Sequence, residues 1–215
     1  MKPTRNFSRF KDLQIPMDFG DDFQPRLEAN REKVIELIKP QSTGLMNAIL
    51  NAGDKYQNFA NDNAIARQLN NFAPLNLTAL IVQEISLLDN FTLNNFTKGN
   101  PEIIFDDYKF WVKKIDQKFF PKVNNTRSSQ SRVNQLSNTD DENAILILGY
   151  QLNDLQQITG VYLVYLRGEE LVWAPINLGD MAAQLEEQNV PVQAQHEVTE
   201  VPMTVKKGRR ASQAV

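Results

Sequence analysis

Cysteine is absent from the chain, and histidine occurs once, at His196. The first absence excludes disulfides, thiolate metal sites and thiol nucleophiles together. The second leaves catalytic triads, Cys-His dyads and histidine metal centres without partners. His196 itself lies in a polar, low-complexity stretch that offers no rigid support for general-base work. Long apolar runs are missing as well. The basic first ten residues lead into DLQIPMDFGDD, which lacks the continuous hydrophobic stretch of a signal peptide or membrane span. The Asn-x-Ser/Thr sequons at Asn6, Asn76, Asn90, Asn95 and Asn124 are therefore read as by-products of an amide-rich composition, with 22 Asn and 17 Gln. The expected setting is the cytoplasm, or the particle of a virus, with no membrane partner. Glycine is sparse too: its nine copies form neither GxGxxG nor GxxxxGKS/T, and no GxSxG elbow occurs. No cofactor is expected.

What is present suffices for one sizeable core in 215 residues, although polar stretches dilute the apolar fraction to 41%. Residues 1–24 set Phe7, Phe10, Phe19 and Phe23 among charges at spacings that fit neither helix nor strand. They read as an extended arm whose aromatics anchor either on their own domain or on a neighbouring subunit. Residues 25–120 read as a helical domain. PRLEANREKVIELIK places Leu27, Ile35 and Ile38 on one face before Pro40, and Ser42 caps a helix through Leu45, Ile49 and Leu50, with Gly53 as its weak point or stop. A shorter helix passes through Ile65, Leu69 and Phe72, and Asn76 caps LTALIVQEISLLDNF. TKGNP forms a turn, and PEIIFDDYKFWVKKIDQKFF sets Ile104, Tyr108, Trp111, Val112, Ile115 and Phe119 at helical spacing, acids first and lysines last, to complete a bundle of about five helices.

Residues 121–143 hold three isolated apolar side chains and read as a polar linker or exposed loop. Beyond them the period changes. AILILGYQL, ITGVYLVYL and ELVWAPI read as a small antiparallel β-meander over 144–188, with a hairpin turn at Arg167-Gly168-Glu169 and a short helix from Asp180. Asn153 to Gln157 is either a loop or a helical turn. Residues 189–215 read as a disordered tail with a basic end. The expected class is thus α+β: a helical bundle, then a small meander, then a tail.

Chemistry has few candidates. The adjacent acids Asp21-Asp22, Asp106-Asp107, Asp140-Asp141-Glu142, Glu169-Glu170 and Glu186-Glu187 point apart on any regular element, so they mark solvated faces and not a two-carboxylate site. An enzyme built on acids from separate elements is the minor alternative. Tyr162 and Trp173 on the expected strands suit contacts with protein more than base stacking, because 144–176 carries one basic residue against three acidic ones. Lys206, Lys207, Arg209 and Arg210 form the one concentrated basic feature, able to touch nucleic acid or an acidic partner. The leading expectation is a non-catalytic assembly or adaptor subunit working through a protein partner or as a homo-oligomer. The alternative is a nucleic-acid-binding accessory protein that uses the tail.

Overall fold

A computed structural model describes residues 19, 21–62, 72–94, 101–123, 126–137 and 142–189. Phe7, Phe10, His196, Lys206, Lys207, Arg209, Arg210, Asp140, Asp141, the helix through Ile65 and Leu69, and the tail from 190 lie outside the described residues.

The order of elements is β1 (Gln24–Pro25), α1 (Arg31–Ile38), a 3-10 turn, α2 (Ser42–Asp62), α3 (Phe72–Ile85), β2 (Thr92–Asn94), β3 (Glu102–Phe105), β4 (Tyr108–Lys114), α4 (Arg127–Val133), β5 (Leu136–Ser137), β6 (Ala144–Leu152), β7 (Ile158–Val164), β8 (Leu166–Arg167), β9 (Glu170–Leu171), β10 (Ile176–Asn177) and α5 (Leu178–Asn189). Six strands form one mixed sheet in the order β10-β7-β6-β4-β3-β2, while β1 pairs with β5 and β8 with β9. The expected five-helix bundle followed by a small meander is therefore not the architecture. The large sheet is its centre, and helices α1, α2, α3 and α5 supply one of its covers.

The decisive correction is residues 101–120, which form a hairpin and not a helix. Ile103, Phe105, Tyr108, Phe110 and Val112 alternate onto one face and are buried there. Aromatic and β-branched side chains suit a pleated surface. Phe105 pairs with Tyr108 around a loop of Asp106 and Asp107, and Asp106 sits at φ 53, a left-handed conformation that a short polar side chain tolerates. The segment beyond β4 also turns: the Asp116 carboxylate accepts from the N–H of Lys118 at 2.8 Å and of Phe120 at 2.9 Å.

Helix boundaries shift for local reasons. α1 starts six residues later than its pattern suggests, because the Asn30 side chain caps it by accepting from Lys33 N at 3.0 Å. Leu27 is left 58% exposed. α2 runs through Gly53, where an added Cβ would lie 3.2 Å from the Ile158 side chain, so glycine serves close approach there and not termination. α3 includes Pro74 in its first turn, where a missing N–H costs nothing. The Asn177 side chain caps α5 by accepting from Gly179 N at 2.9 Å, so Asp180 lies inside the first turn. No helix among the described residues is long and apolar enough to cross a membrane.

β6 is buried from Ala144 to Tyr150, the signature of a strand covered on both faces. Leu146, Leu148 and Tyr150 face the helices, together with Phe110, Val112, Val161 and Leu163. Ile145 and Ile147 face the other way with Trp111, Val164 and Leu166, and Val133 of α4 covers them. β4 and β6 run parallel, with Tyr108 opposite Ala144 and Lys114 opposite Tyr150. A parallel pair needs a crossover, and residues 115–143 provide it. The segment expected as a polar linker thus carries α4 and β5 across the second face of the sheet.

One amide holds that crossover down. Ile147 and Val164 are the last pair of β6 with β7, and beyond them the backbone of Ile145 has no strand opposite on that side. The Gln135 side chain takes that place: its Oε1 accepts from Ile145 N at 3.0 Å, and its Nε2 donates to Ile145 O at 2.8 Å and Leu166 O at 3.0 Å. Its own carbonyl accepts from Arg26 N at 2.8 Å, which ties in the chain beside β1.

Two stability predictions follow from this packing. Gln135→Leu strands three buried backbone groups at similar side-chain volume and should cost on the order of 3 kcal/mol or more in urea unfolding. Gly149→Ala should cost about 1–3 kcal/mol, because the new Cβ would lie 2.6 Å from Ile115 Cδ1. Trimming that contact with Ile115→Val in the double variant should recover part of the loss, and additive losses would contradict the close approach.

Candidate functional site

The aromatics singled out in the sequence separate into different surroundings. Phe19 and Phe23 pack on each other at 5.3 Å, and the Arg127 guanidinium at the start of α4 lies 4.7 Å from the Phe23 ring while donating to Phe19 O. Tyr162 sits edge-on to Phe119 at 5.0 Å on the second face of the sheet. Trp173 lies near Tyr165 at 5.8 Å, with its indole N–H directed at Ala29 O. The structure does not bring these residues together into one surface. The described acid pairs are likewise dispersed: Asp21-Asp22 in a turn, Asp106-Asp107 at the β3–β4 tip, Glu169-Glu170 at the β8–β9 turn and Glu186-Glu187 on α5, all exposed.

Two places emerge that sequence reading missed. The first is a shallow cavity of about 290 Å³ between α2 and the β6–β7 loop, lined by Leu50, Gly53, Asp54, Gln57, Gln157 and Ile158. The four α2 residues recur at helical spacing and form one stripe. Leu50, one of the apolar positions that mark this helix in the sequence, is 46% exposed, and Leu155 in the opposing loop is 71% exposed. The loop is held rigidly for such a surface. Asn153 and Gln157 join through both backbone and side chains, with Asn153 N donating to Gln157 O at 3.0 Å and Gln157 N to Asn153 Oδ1 at 2.9 Å. Gln156, at φ 61, accepts from the Tyr56 hydroxyl through its side chain and from Gln57 Nε2 at 3.0 Å through its carbonyl.

Below this loop lies Tyr150, whose hydroxyl is 3.0 Å from Thr78 Oγ1. Burial pushes the phenol up to about 12, against a smaller opposing pull from the Thr78 hydrogen bond. The neutral phenol is the form the fold favours.

The second place is on the other face of the sheet. Lys109, Trp111 and Lys113 alternate along β4, and Glu102 lies on the neighbouring strand. Glu102 binds Lys109 at 3.2 Å through Oε2, and Arg132 of α4 through Oε1, at 2.8 Å from Nη2 and 3.0 Å from Nε. The three side chains are nearly buried. Arg132 lies 5.3 Å from the centroid of Trp111, and the Lys113 ammonium lies 4.5 Å from the same centroid. Burial, and after it the Arg132 charge, lower the pKa of Lys113. The alternation Lys-x-Trp-x-Lys is the available signal in the sequence, and a helical reading of the segment hides it.

No group of three or more acidic or histidine side chains able to hold a metal occurs among the described residues. Comparison with protein-family models, with curated proteins and with solved structures finds no match.

The raised phenol of Tyr150 predicts an alkaline effect. Its stabilisation is complete below the unfolded value near 10 and is lost as pH rises through about 12. Melting temperature should fall across that interval, and Tyr150→Phe should flatten part of the fall. Absorbance titration of tyrosinate should show the same variant losing a late-titrating group.

Proposed function

We propose that the chain is a non-catalytic assembly or adaptor subunit of a larger complex, in the cytoplasm or in a virus particle, acting through contacts with other protein. The observation that carries this reading is the exposed surface formed by α2 and the β6–β7 loop. Leu50 and Leu155 stand in solvent on a backbone fixed by the Tyr56, Gln57 and Gln156 hydrogen bonds. Preformed apolar contact area of this kind loses little conformational entropy on association.

The polar lining fits the same reading. Gln57 Oε1 and Gln157 Nε2, the amide groups that do not hold the loop, can hydrogen-bond a partner's backbone, and the cavity's lining contains a single carboxylate, Asp54. Acid-base chemistry by paired carboxylates needs two. The surface suits a second copy of the chain or a different protein.

The double variant Leu50→Asp with Leu155→Asp should retain the parent melting temperature, since exposed substitutions usually change stability by about 0.5 kcal/mol or less. It should lose concentration-dependent association in sedimentation velocity, or lose specific cross-links to partner protein in extracts of the native source. A parent protein that is monomeric at every concentration, with the same cross-links as the variant, would contradict the proposal.

A further inference from the structure

We propose that the second face of the sheet binds one small oxyanion, of the carboxylate or phosphate kind, between Arg132 and Lys113 beside Trp111. The starting observation is an unfilled donor. Arg132 gives Nε and Nη2 to Glu102, while its Nη1 is buried and has no hydrogen-bond partner. A buried donor left unpaired is costly, more so when it belongs to a charged group. An acceptor oxygen at that position removes the deficit.

The second observation is an excess of positive charge at one ring. Lys113 has no carboxylate within ion-pair distance among the described residues, and it and Arg132 both lie within 5.3 Å of the Trp111 centroid. The indole face attracts each cation, but it does nothing to lessen their mutual repulsion. Burial first, and that repulsion second, lower the pKa of Lys113. Glu102 is already committed to Lys109 and Arg132, so it does not balance the lysine.

A carboxylate or phosphate does what Glu102 does not. Its oxygens can accept from Nη1 on the free edge of the guanidinium and from the ammonium of Lys113. Such charge-assisted hydrogen bonds are about twice as strong as neutral ones. The ligand must be small, because α4 covers this face and Val133 packs beside Trp111.

The test uses the full chain, with inorganic phosphate and acetate as separate probes and chloride as the control at matched ionic strength. Trp111 emission is read in a Trp173→Phe background, alongside melting temperature. One probe should produce a saturable change in emission and a rise in melting temperature, and the probe that saturates identifies the headgroup. Lys113→Met should weaken binding about tenfold or more, the equivalent of one charge-assisted hydrogen bond. Lys113→Arg should keep most of it. Arg132 also holds Glu102, so its removal can disturb the fold, and Lys113 therefore carries the test. If neither probe saturates, or if Lys113→Met responds as the parent does, the two cations serve only to seat α4 on Trp111.

Discussion

The fold depends on a side chain that does the work of a strand. At Ile145, β6 still has β4 on one side, but β7 has left on the other. Gln135 inserts its amide there, and the amide reproduces the donor and acceptor pattern of a peptide group. Because the same residue also bonds Leu166, it closes the sheet where the chain leaves β7 for β8. Its φ of 54 places its backbone in the left-handed region, which a non-glycine residue rarely adopts. The placement of α4 on the second face, and with it Arg132 over Trp111, rests on that anchorage.

The two covers of the sheet differ in chemistry. Against the helices the interface is apolar: Leu45, Ile49, Ile81 and Ile85 meet Phe110, Leu148 and Leu163 in one cluster. Each fully buried aliphatic side chain there contributes about 1.5–3 kcal/mol. Against the crossover the interface mixes aliphatic packing with the ionic group of Glu102, Lys109 and Arg132. Desolvation offsets much of the attraction in such a group, so its value lies more in fixing orientation than in net stability. A salt bridge can be satisfied in few arrangements, whereas leucines pack in many.

How far the sequence could be read varied with how local the signal was. β6 and β7 coincide with runs of Ile, Leu, Val and Tyr, and Gly168, at φ 65, sits in the turn where a hairpin was expected. α1 was visible by its period, but its start depended on the Asn30 cap. Residues 101–120 were not legible, because Ile104, Tyr108, Trp111 and Ile115 satisfy helical spacing while Ile103, Phe105, Phe110 and Val112 satisfy alternation. Short apolar runs carry both periods, and only their richness in aromatic and β-branched residues favoured the strand. The partner of β4 could not be read at all, since β6 lies beyond a long crossover whose polar composition resembles a linker. The same misassignment concealed Lys113 and Arg132, and Leu50 was hidden because one helical stripe can face solvent as readily as core.

The parallel pairing at the centre of the sheet also orders events during synthesis. The β3–β4 hairpin can close as soon as it leaves the ribosome, since its loop is two residues long. The other side of β4 must wait until Ala144 to Tyr150 have emerged, and in the interval a row of main-chain donors and acceptors beside Phe110 and Val112 is open. Closing so long a loop is entropically slow. The nascent chain is therefore most vulnerable to mispairing with its neighbours in the window between translation of Lys114 and translation of Tyr150.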